Sequence, residues 1–222
     1  MRSRGCGICW NPLYYLSRKD GVMRVLKGKT VIFGGSFNPP HKGHDMTCAY
    51  LLEHLHAEAV WMVPVFNHPF GKDLASFEHR LAMCRLVAEP FGERVVVSEV
   101  ERELGGLGRT YDTLEHLTKR FEERSFALSV GADILQETAQ WHRWEDICSM
   151  VQVVVLGREG FSSTGVGGEV SAGVAELPEV SSSEIRERVS AGEPLAGLTS
   201  PGGADYIRRY GLYGGGSQGV SG

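Results

Sequence analysis

The run Val31-Ile-Phe-Gly-Gly-Ser-Phe-Asn-Pro-Pro-His-Lys-Gly-His44 restricts what this chain can fold into more than any other stretch. Three strand-forming residues open it, and Gly34 and Gly35 supply a turn. Pro39 and Pro40 then forbid continued sheet pairing, because proline has no N–H to give a ladder. After His41-Lys-Gly-His44 come Cys48, Leu51, Leu52 and Leu55, spaced i, i+3, i+4 and i+7 as one apolar helix face. The order is strand, glycine turn, loop, helix: the first half of a βαβ unit. A helix start presents unpaired N–H groups and the positive end of the peptide dipole, so an anion, typically phosphate, fits there. Gly34 and Gly35 have no Cβ to hold a polyphosphate off the backbone. Gly43 lets a ligand approach the helix start, with an imidazole on either side. The alternative is a plain strand–helix joint. A P-loop is excluded, since no Lys-Ser/Thr follows the last glycine. His41 and His44 have a spacing that metal ligands use, but no third ligand lies nearby in sequence.

From Thr30 onward strands and helices alternate. Ala59 to Val63 is a buried-strand run stopped by Pro64, and Phe77, Leu81, Cys84 and Ala88 predict a helix capped by Ser76. Arg94 to Val100 reads as a third strand, Leu114, Leu117 and Phe121 as a third helix, and Ser125 to Val130 as a fourth strand. A helix is expected from Asp133 to about residue 137, and a fifth strand over Met150 to Leu156. Such alternation implies an α/β fold, a Rossmann-like parallel sheet with helices on both faces. Ligands of such sheets bind beyond the carboxyl ends of the strands, where Gly34 to His44 would lie. Residues 157–177, rich in Gly, Ser and Val without periodicity, read as a mobile loop. Ala175 to Val180 is expected to form a short strand, and Ala204 to Tyr213 a short helix stopped at Gly211.

The ends differ from the middle. Over residues 1–29, Arg2, Arg4, Arg18, Lys19, Arg24, Lys27 and Lys29 oppose a single acid, Asp20, and no apolar region makes a secretory signal of them. This segment reads as a disordered extension, or as the product of an upstream start with Met23 as the working one. Residues 30–213 read as one domain and 214–222 as a flexible tail. The tail pattern Gly214-x-Gly216-x-x-Gly219 follows no strand and opens no helix, so it is no dinucleotide fingerprint. A net charge of −4 gives no general nucleic-acid surface, and no apolar run reaches the roughly 18 residues of a membrane span. Five scattered cysteines make no secreted disulfide framework, and Cys6-x-x-Cys9 has no second pair. The expected compartment is the reducing cytoplasm. Homo-oligomerisation is left open.

A second constellation is Ser181-Ser-Ser-Glu-Ile-Arg186. Serines before a helix are N-caps, and Arg186 and Arg188 in its first turns oppose the dipole at about a few tenths of a kcal/mol each. That cost makes sense where an anion offsets it; an ordinary cap with solvated arginines is the alternative.

The first stretch resembles the nucleotidyltransferase superfamily marked by His-x-Gly-His, and Gly-Gly-Ser-Phe-Asn-Pro-Pro-His is most similar to the bacterial nicotinate-nucleotide adenylyltransferases. Val180 to Arg186 resembles the family's Ile-Ser-Ser-Thr-x-Ile-Arg, and further matches run nearly the whole of 30–213. The resemblance implies a nucleotidyltransferase-type sheet and adenylyl transfer from ATP to nicotinate mononucleotide in NAD biosynthesis, with magnesium carried by ATP. It implies ATP contacts from Gly34, Gly35, Ser36, Phe37, His41, His44, Ser182, Ser183 and Arg186. It implies contacts to nicotinate mononucleotide from Asn38, Lys72, Arg109, Thr110, Gly131, Asp133, Trp141 and Arg158. Trp141 would stack on the pyridine ring and Asp133 would bond ribose hydroxyls. Where the family often has Ser-Tyr-Thr-x-Asp-Thr-Leu, this chain has Arg109 in place of the tyrosine, which puts the choice between acid and amide substrates at that position.

The expected chemistry needs no general base, because the attacking phosphate is largely dianionic with its second pKa near ~6. What is needed is in-line placement and charge neutralisation. The expected catalytic set is His44 on the α-phosphate, His41 on the β- and γ-phosphates, and Arg186 on the departing pyrophosphate. The nearest rivals act on nicotinamide mononucleotide or phosphopantetheine. A class I aminoacyl-tRNA synthetase would need a tRNA-binding domain that this length does not accommodate. A non-catalytic nucleotide sensor is the rival of a different class.

Overall fold

The computed structural model describes residues 26–67, 74–106, 108–132, 141–157, 170–174 and 180–214. Its frame is a parallel sheet of β1 (Lys29–Gly35), β2 (Ala59–Pro64), β3 (Val95–Val97), β4 (Ser125–Gly131), β5 (Gln152–Gly157) and β6 (Val170–Val174). The strand order is β3-β2-β1-β4-β5-β6. Every strand pair is parallel, with Thr30 opposite Ala59 on one side of β1 and opposite Phe126 on the other. That order is the one expected of doubly wound dinucleotide-type sheets. The helices are α1 (Lys42–Ala49), α2 (Phe77–Ala88), α3 (Val100–Leu104), α4 (Thr110–Arg120), α5 (Trp144–Met150), α6 (Ser182–Ser190) and α7 (Pro201–Arg209). No helix among the described residues is long and apolar enough to cross a membrane.

The two faces follow from the period of two along each strand. Val31, Met62, Ala127 and Val154 point to one face and pack with Cys48, Leu51 and Leu52 of the first helical segment and Cys84 and Val87 of α2. Their neighbours Ile32, Val63, Leu128 and Val153 point to the other and pack with Val100 of α3, Leu114 and Leu117 of α4 and Ile147 of α5. A third apolar cluster joins Met83 of α2 to Ile185 of α6 and Ile207 of α7, so the carboxyl-terminal helices sit against α2. The apolar face predicted from Cys48 to Leu55 is present, with residues Tyr50–His54 wound as a wider π-type turn. Ser76 caps α2 as expected, its Oγ accepting from the His79 N–H.

Several boundaries differ from expectation. Leu26 is 0 % exposed within the core and Lys29 already belongs to β1, so packing begins before residue 30; residues 1–25 lie outside the described set. The third strand ends at Val97. Ser98 Oγ accepts the Val100 N–H, and Val100 starts α3 with its side chain in the second core cluster. Met150 closes α5 rather than opening β5. Within 157–177, expected as a loop, Val170–Val174 forms the edge strand β6 in register with Val153–Gly157. An edge strand is held by backbone bonds to one neighbour, so no hydrophobic period announces it. The helix expected over 133–137 and residues 175–179 of the strand expected over Ala175 to Val180 lie outside the described residues, and Val180 itself is in no strand.

Candidate active site

The strand order reverses between β1 and β4, so the crevice of this sheet opens at their carboxyl ends, Gly34–Gly35 and Gly131. A Cβ on Gly34 would meet nothing within 4 Å, so there is open space beside its backbone. Gly35 has a different role. A Cβ there would lie 3.2 Å from Phe37 Cζ. Phe37 turns back at φ 46° and is 2 % exposed, its ring edge-on to Phe33 at 5.5 Å and to His44 at 4.9 Å. Positive φ is strained for a bulky residue, so the surrounding packing must hold it.

His41 is the N-cap residue of α1, and its N–H donates to His44 Nδ1 at 2.9 Å. With Nδ1 accepting, the proton of a neutral His44 sits on Nε2, a donor for an anion. The two rings lie 3.8 Å apart between centroids. A Cβ on Gly43 would meet His41 Cε1 and Nδ1 at 3.0 Å. Gly43 therefore makes room for the His41 ring, whereas ligand access was the role expected of it. His41 Nδ1 is buried and has no hydrogen-bond partner among the described residues. Burial pushes His41 down to about 4, and burial followed by the charge of His41 holds His44 well below the ordinary histidine value. In the free protein both imidazoles are neutral at pH 7.

The second constellation braces the first. Ser181 caps α6, its Oγ accepting from the Glu184 N–H. Ser182 Oγ donates to the Pro39 carbonyl at 2.8 Å, and Arg186 donates through Nη1 to the Asn38 carbonyl at 2.8 Å and through Nη2 to Ser183 Oγ at 3.0 Å. Thr199 Oγ1 donates to the Pro40 carbonyl, and the Lys42 N–H to the Leu198 carbonyl. Ser183 is exposed and Arg186 half-buried at the rim. Arg188, expected to oppose the α6 dipole, sits instead in the last turn and pairs with Glu184, an ordinary i,i+4 contact. Asn38 is buried, and its Oδ1 accepts from the Ala75 N–H and from Tyr213 Oη, so this expected substrate contact is committed to internal bonds.

A second group gathers on the other face. Arg109 is the N-cap residue of α4, its carbonyl accepting from the Thr113 N–H; its side chain is exposed and makes no hydrogen bond or ion pair with any described residue. Thr110 begins the helix. Trp141 is half-buried and stands edge-on to Trp144 at 5.6 Å, both against the second core cluster. The guanidinium of Arg143 lies 3.9 Å above the Tyr111 ring, so residues 141–144 pack on the start of α4. Lys72, Asp133 and Arg158 lie outside the described residues. A cavity of about 320 Å³ opens at the opposite, amino-terminal edge of the sheet, lined by Lys29, Thr118, Arg124 and Ser125, away from the histidines. Side-chain chemistry, not concavity, locates the candidate site.

Sequence reasoning passed over Arg80. It is 1 % exposed and donates through Nε to the Ala75 carbonyl and through Nη1 to the Ser36 carbonyl, both at 2.9 Å. The signal was available, since Arg80 interrupts the apolar stripe of Phe77, Leu81 and Cys84.

Residues 32–188 match the cytidylyltransferase-like family. A protein of Anaeromyxobacter sp. (strain K) named "Probable nicotinate-nucleotide adenylyltransferase" is 44 % identical over 82 % of this chain and 95 % of its own length. One of the same name from Myxococcus xanthus (strain DK1622) is 36 % identical over 84 % and 95 %. Among solved structures, Plasmodium falciparum nicotinic acid mononucleotide adenylyltransferase complexed with NaAD superposes with a TM-score of 0.70, covering 83 % of this chain and 97 % of that one. At 20 % identity that likeness is one of fold.

Proposed function

This chain belongs to the cytidylyltransferase-like family, and on that premise we propose that it transfers the adenylyl group of ATP to nicotinate mononucleotide, forming nicotinate adenine dinucleotide and pyrophosphate in NAD biosynthesis. The names of its relatives at 44 % and 36 % identity support the reading. The observation that carries it is the His41–His44 pair at the start of α1, held over the same loop that Ser182 and Arg186 of α6 grip. These parts suit a polyphosphate and not an uncharged ligand.

In this reading the acceptor phosphate attacks the α-phosphorus of ATP and the bond to the β-phosphate oxygen breaks, so pyrophosphate leaves with the electron pair. The attacking oxygen is already anionic, and no residue has to remove a proton. His44 Nε2–H donates to the α-phosphate oxygens as charge builds, at a site where a preorganised donor is worth ~3–4 kcal/mol. His41 holds the β- and γ-phosphates. Arg186 keeps N–H groups beyond the two used on Asn38 and Ser183, and these neutralise the departing pyrophosphate. Open backbone at Gly34 admits the triphosphate. Magnesium enters with ATP, in keeping with its reluctance to shed water for an all-protein cage. Trp141 offers a flat apolar surface to the pyridine ring. Arg109, at the end of α4 on which residues 141–144 pack, supplies positive charge that suits a carboxylate-bearing ring.

Pyrophosphate release from ATP and magnesium tests the reading, with nicotinate mononucleotide, nicotinamide mononucleotide and phosphopantetheine compared as acceptors. Preference for the first is expected. Preference for the amide moves the substrate assignment, and ATP binding without turnover on any acceptor leaves a nucleotide-binding domain in place of an enzyme.

A further inference from the structure

We propose that Arg80 is a positioning residue that, from inside the core, aims the backbone donors of the loop after β1 at ATP. The proposal rests on the reading of residues 34–44 as a nucleotide site. It begins from an energetic oddity. A guanidinium that is 1 % exposed is costly to bury unless its N–H groups are bonded and its charge balanced, and an apolar side chain at the same place is often at least as stable. Arg80 lies on the stripe of α2 that also carries Phe77, Leu81 and Cys84, all buried. Stability alone would favour another leucine there.

What the guanidinium does is geometric. Its planar fork holds two carbonyls at once, Ser36 through Nη1 and Ala75 through Nε. The peptide between Ser36 and Phe37 is planar, and the only cis bond among the described residues is Asn38–Pro39. In a trans peptide the N–H points opposite to the C=O. With the Ser36 carbonyl drawn to Arg80, the Phe37 N–H faces away from the buried guanidinium. The preceding peptide obeys the same rule, because the Gly35 carbonyl accepts from the Val65 N–H and turns the Ser36 N–H the other way. Two successive amide donors are thus oriented by bonds on the far side of their own peptide planes.

The second carbonyl extends the hold. Ala75, whose carbonyl Arg80 takes, donates its N–H to Asn38 Oδ1, so the same guanidinium steadies the loop at Ser36 and, through Ala75, at Asn38. Glu101, also buried, accepts from the Phe66 N–H and Thr113 Oγ1, which holds the loop after β2 from the same side. Phe66 follows the residue that bonds Gly35, so Arg80 and Glu101 secure the loops after β1 and β2 from the inside.

The test is ATP affinity, measured by calorimetry with magnesium on the full chain of wild type and Arg80→Lys, beside thermal unfolding and the KM for each substrate. A lysine keeps the charge but cannot span both carbonyls. The expected result is a rise in the ATP dissociation constant of about tenfold or more, with the KM for nicotinate mononucleotide within about twofold, as for a misplaced donor set. An unchanged ATP affinity in folded Arg80→Lys overturns the proposal. Equal weakening towards both substrates alongside a lower Tm also overturns it, since a merely structural role predicts that. If Arg80→Lys does not fold, the double variant Arg80→Met/Glu101→Gln, which removes both buried charges, is read against the same outcomes. Failure of that variant to fold as well makes Arg80 a folding residue and ends the proposal. Wild type that binds ATP without turning it over would refute the proposed function, while the calorimetric ATP affinity and the Tm of Arg80→Lys would still decide the role of Arg80.

Discussion

Gly43→Ala separates two meanings of the glycine between the histidines. A Cβ there would stand 3.0 Å from two atoms of the His41 ring. That is closer than carbon contacts normally come, so the ring must retreat by a few tenths of an ångström. Overpacking of this kind costs ~1–3 kcal/mol, while alanine in the first turn of α1 returns up to ~1 kcal/mol of helix propensity. The net loss of stability is then ~0–3 kcal/mol, a fall in Tm of up to ~10 °C for a domain this size. Turnover should fall by several-fold to ~10-fold, because a displacement of ~1 Å in a charge-stabilising group can cost ~10²-fold and this one is a fraction of that. Gly34→Ala is the matched control: its Cβ meets nothing within 4 Å, so Tm should hold and only ATP binding should weaken. Thermal unfolding and pyrophosphate release on both variants read the difference. Gly43→Ala with turnover within about twofold of wild type would show that the ring position does not matter to the chemistry, and the packing explanation of the motif would fail.

His44→Ala should lower kcat by ~10²–10³ with ATP affinity changed far less, and near-normal turnover in the folded variant would remove His44 from the mechanism. Arg186→Ala should raise the KM for ATP and lower kcat, whereas Arg188→Ala, which breaks pairs with half-buried Glu184 and with Glu193, should change stability by ~1 kcal/mol or less and leave turnover intact; equal effects would contradict the separation. The pH dependence of stability has a definite sign. Burial holds His41 at about 4 and His44 well below its usual value, so as pH falls below ~6.5 the unfolded chain takes up protons first. Their contribution is present above ~6.5 and is lost on the way down to about 4. Tm measured between pH 7 and pH 5 should fall more steeply in wild type than in His41→Asn, and parallel slopes would argue against a buried neutral His41.

The sheet was legible because its signals are local. The strand–glycine–helix order at Val31 to His44, the apolar stripe of Cys48, Leu51, Leu52 and Leu55, and the Ser76 cap all involve residues within a few positions of one another. Where the reading slipped, the deciding partner was distant or carried no side-chain signature. β6 exists through its register with β5, and α3 starts where Val100 turns into the second cluster instead of extending β3. Gly35 and Gly43 were both read as openings for a ligand; the structure fills those spaces with the Phe37 and His41 rings.

What the sequence determined by itself is the alternation of strands and helices and the identity of the polar groups at the crevice, His41, His44, Ser182 and Arg186, because periodicity and motif spacing are properties of neighbouring residues. Only the tertiary structure decided how the loop between them is held. The carbonyls of Ser36, Asn38, Pro39 and Pro40 are taken by Arg80, Arg186, Ser182 and Thr199, and Tyr213 reaches Asn38 from the end of the described chain. A backbone carbonyl accepts from any donor that packing brings to it, so no residue type along the chain announces such a bond before the chain has folded.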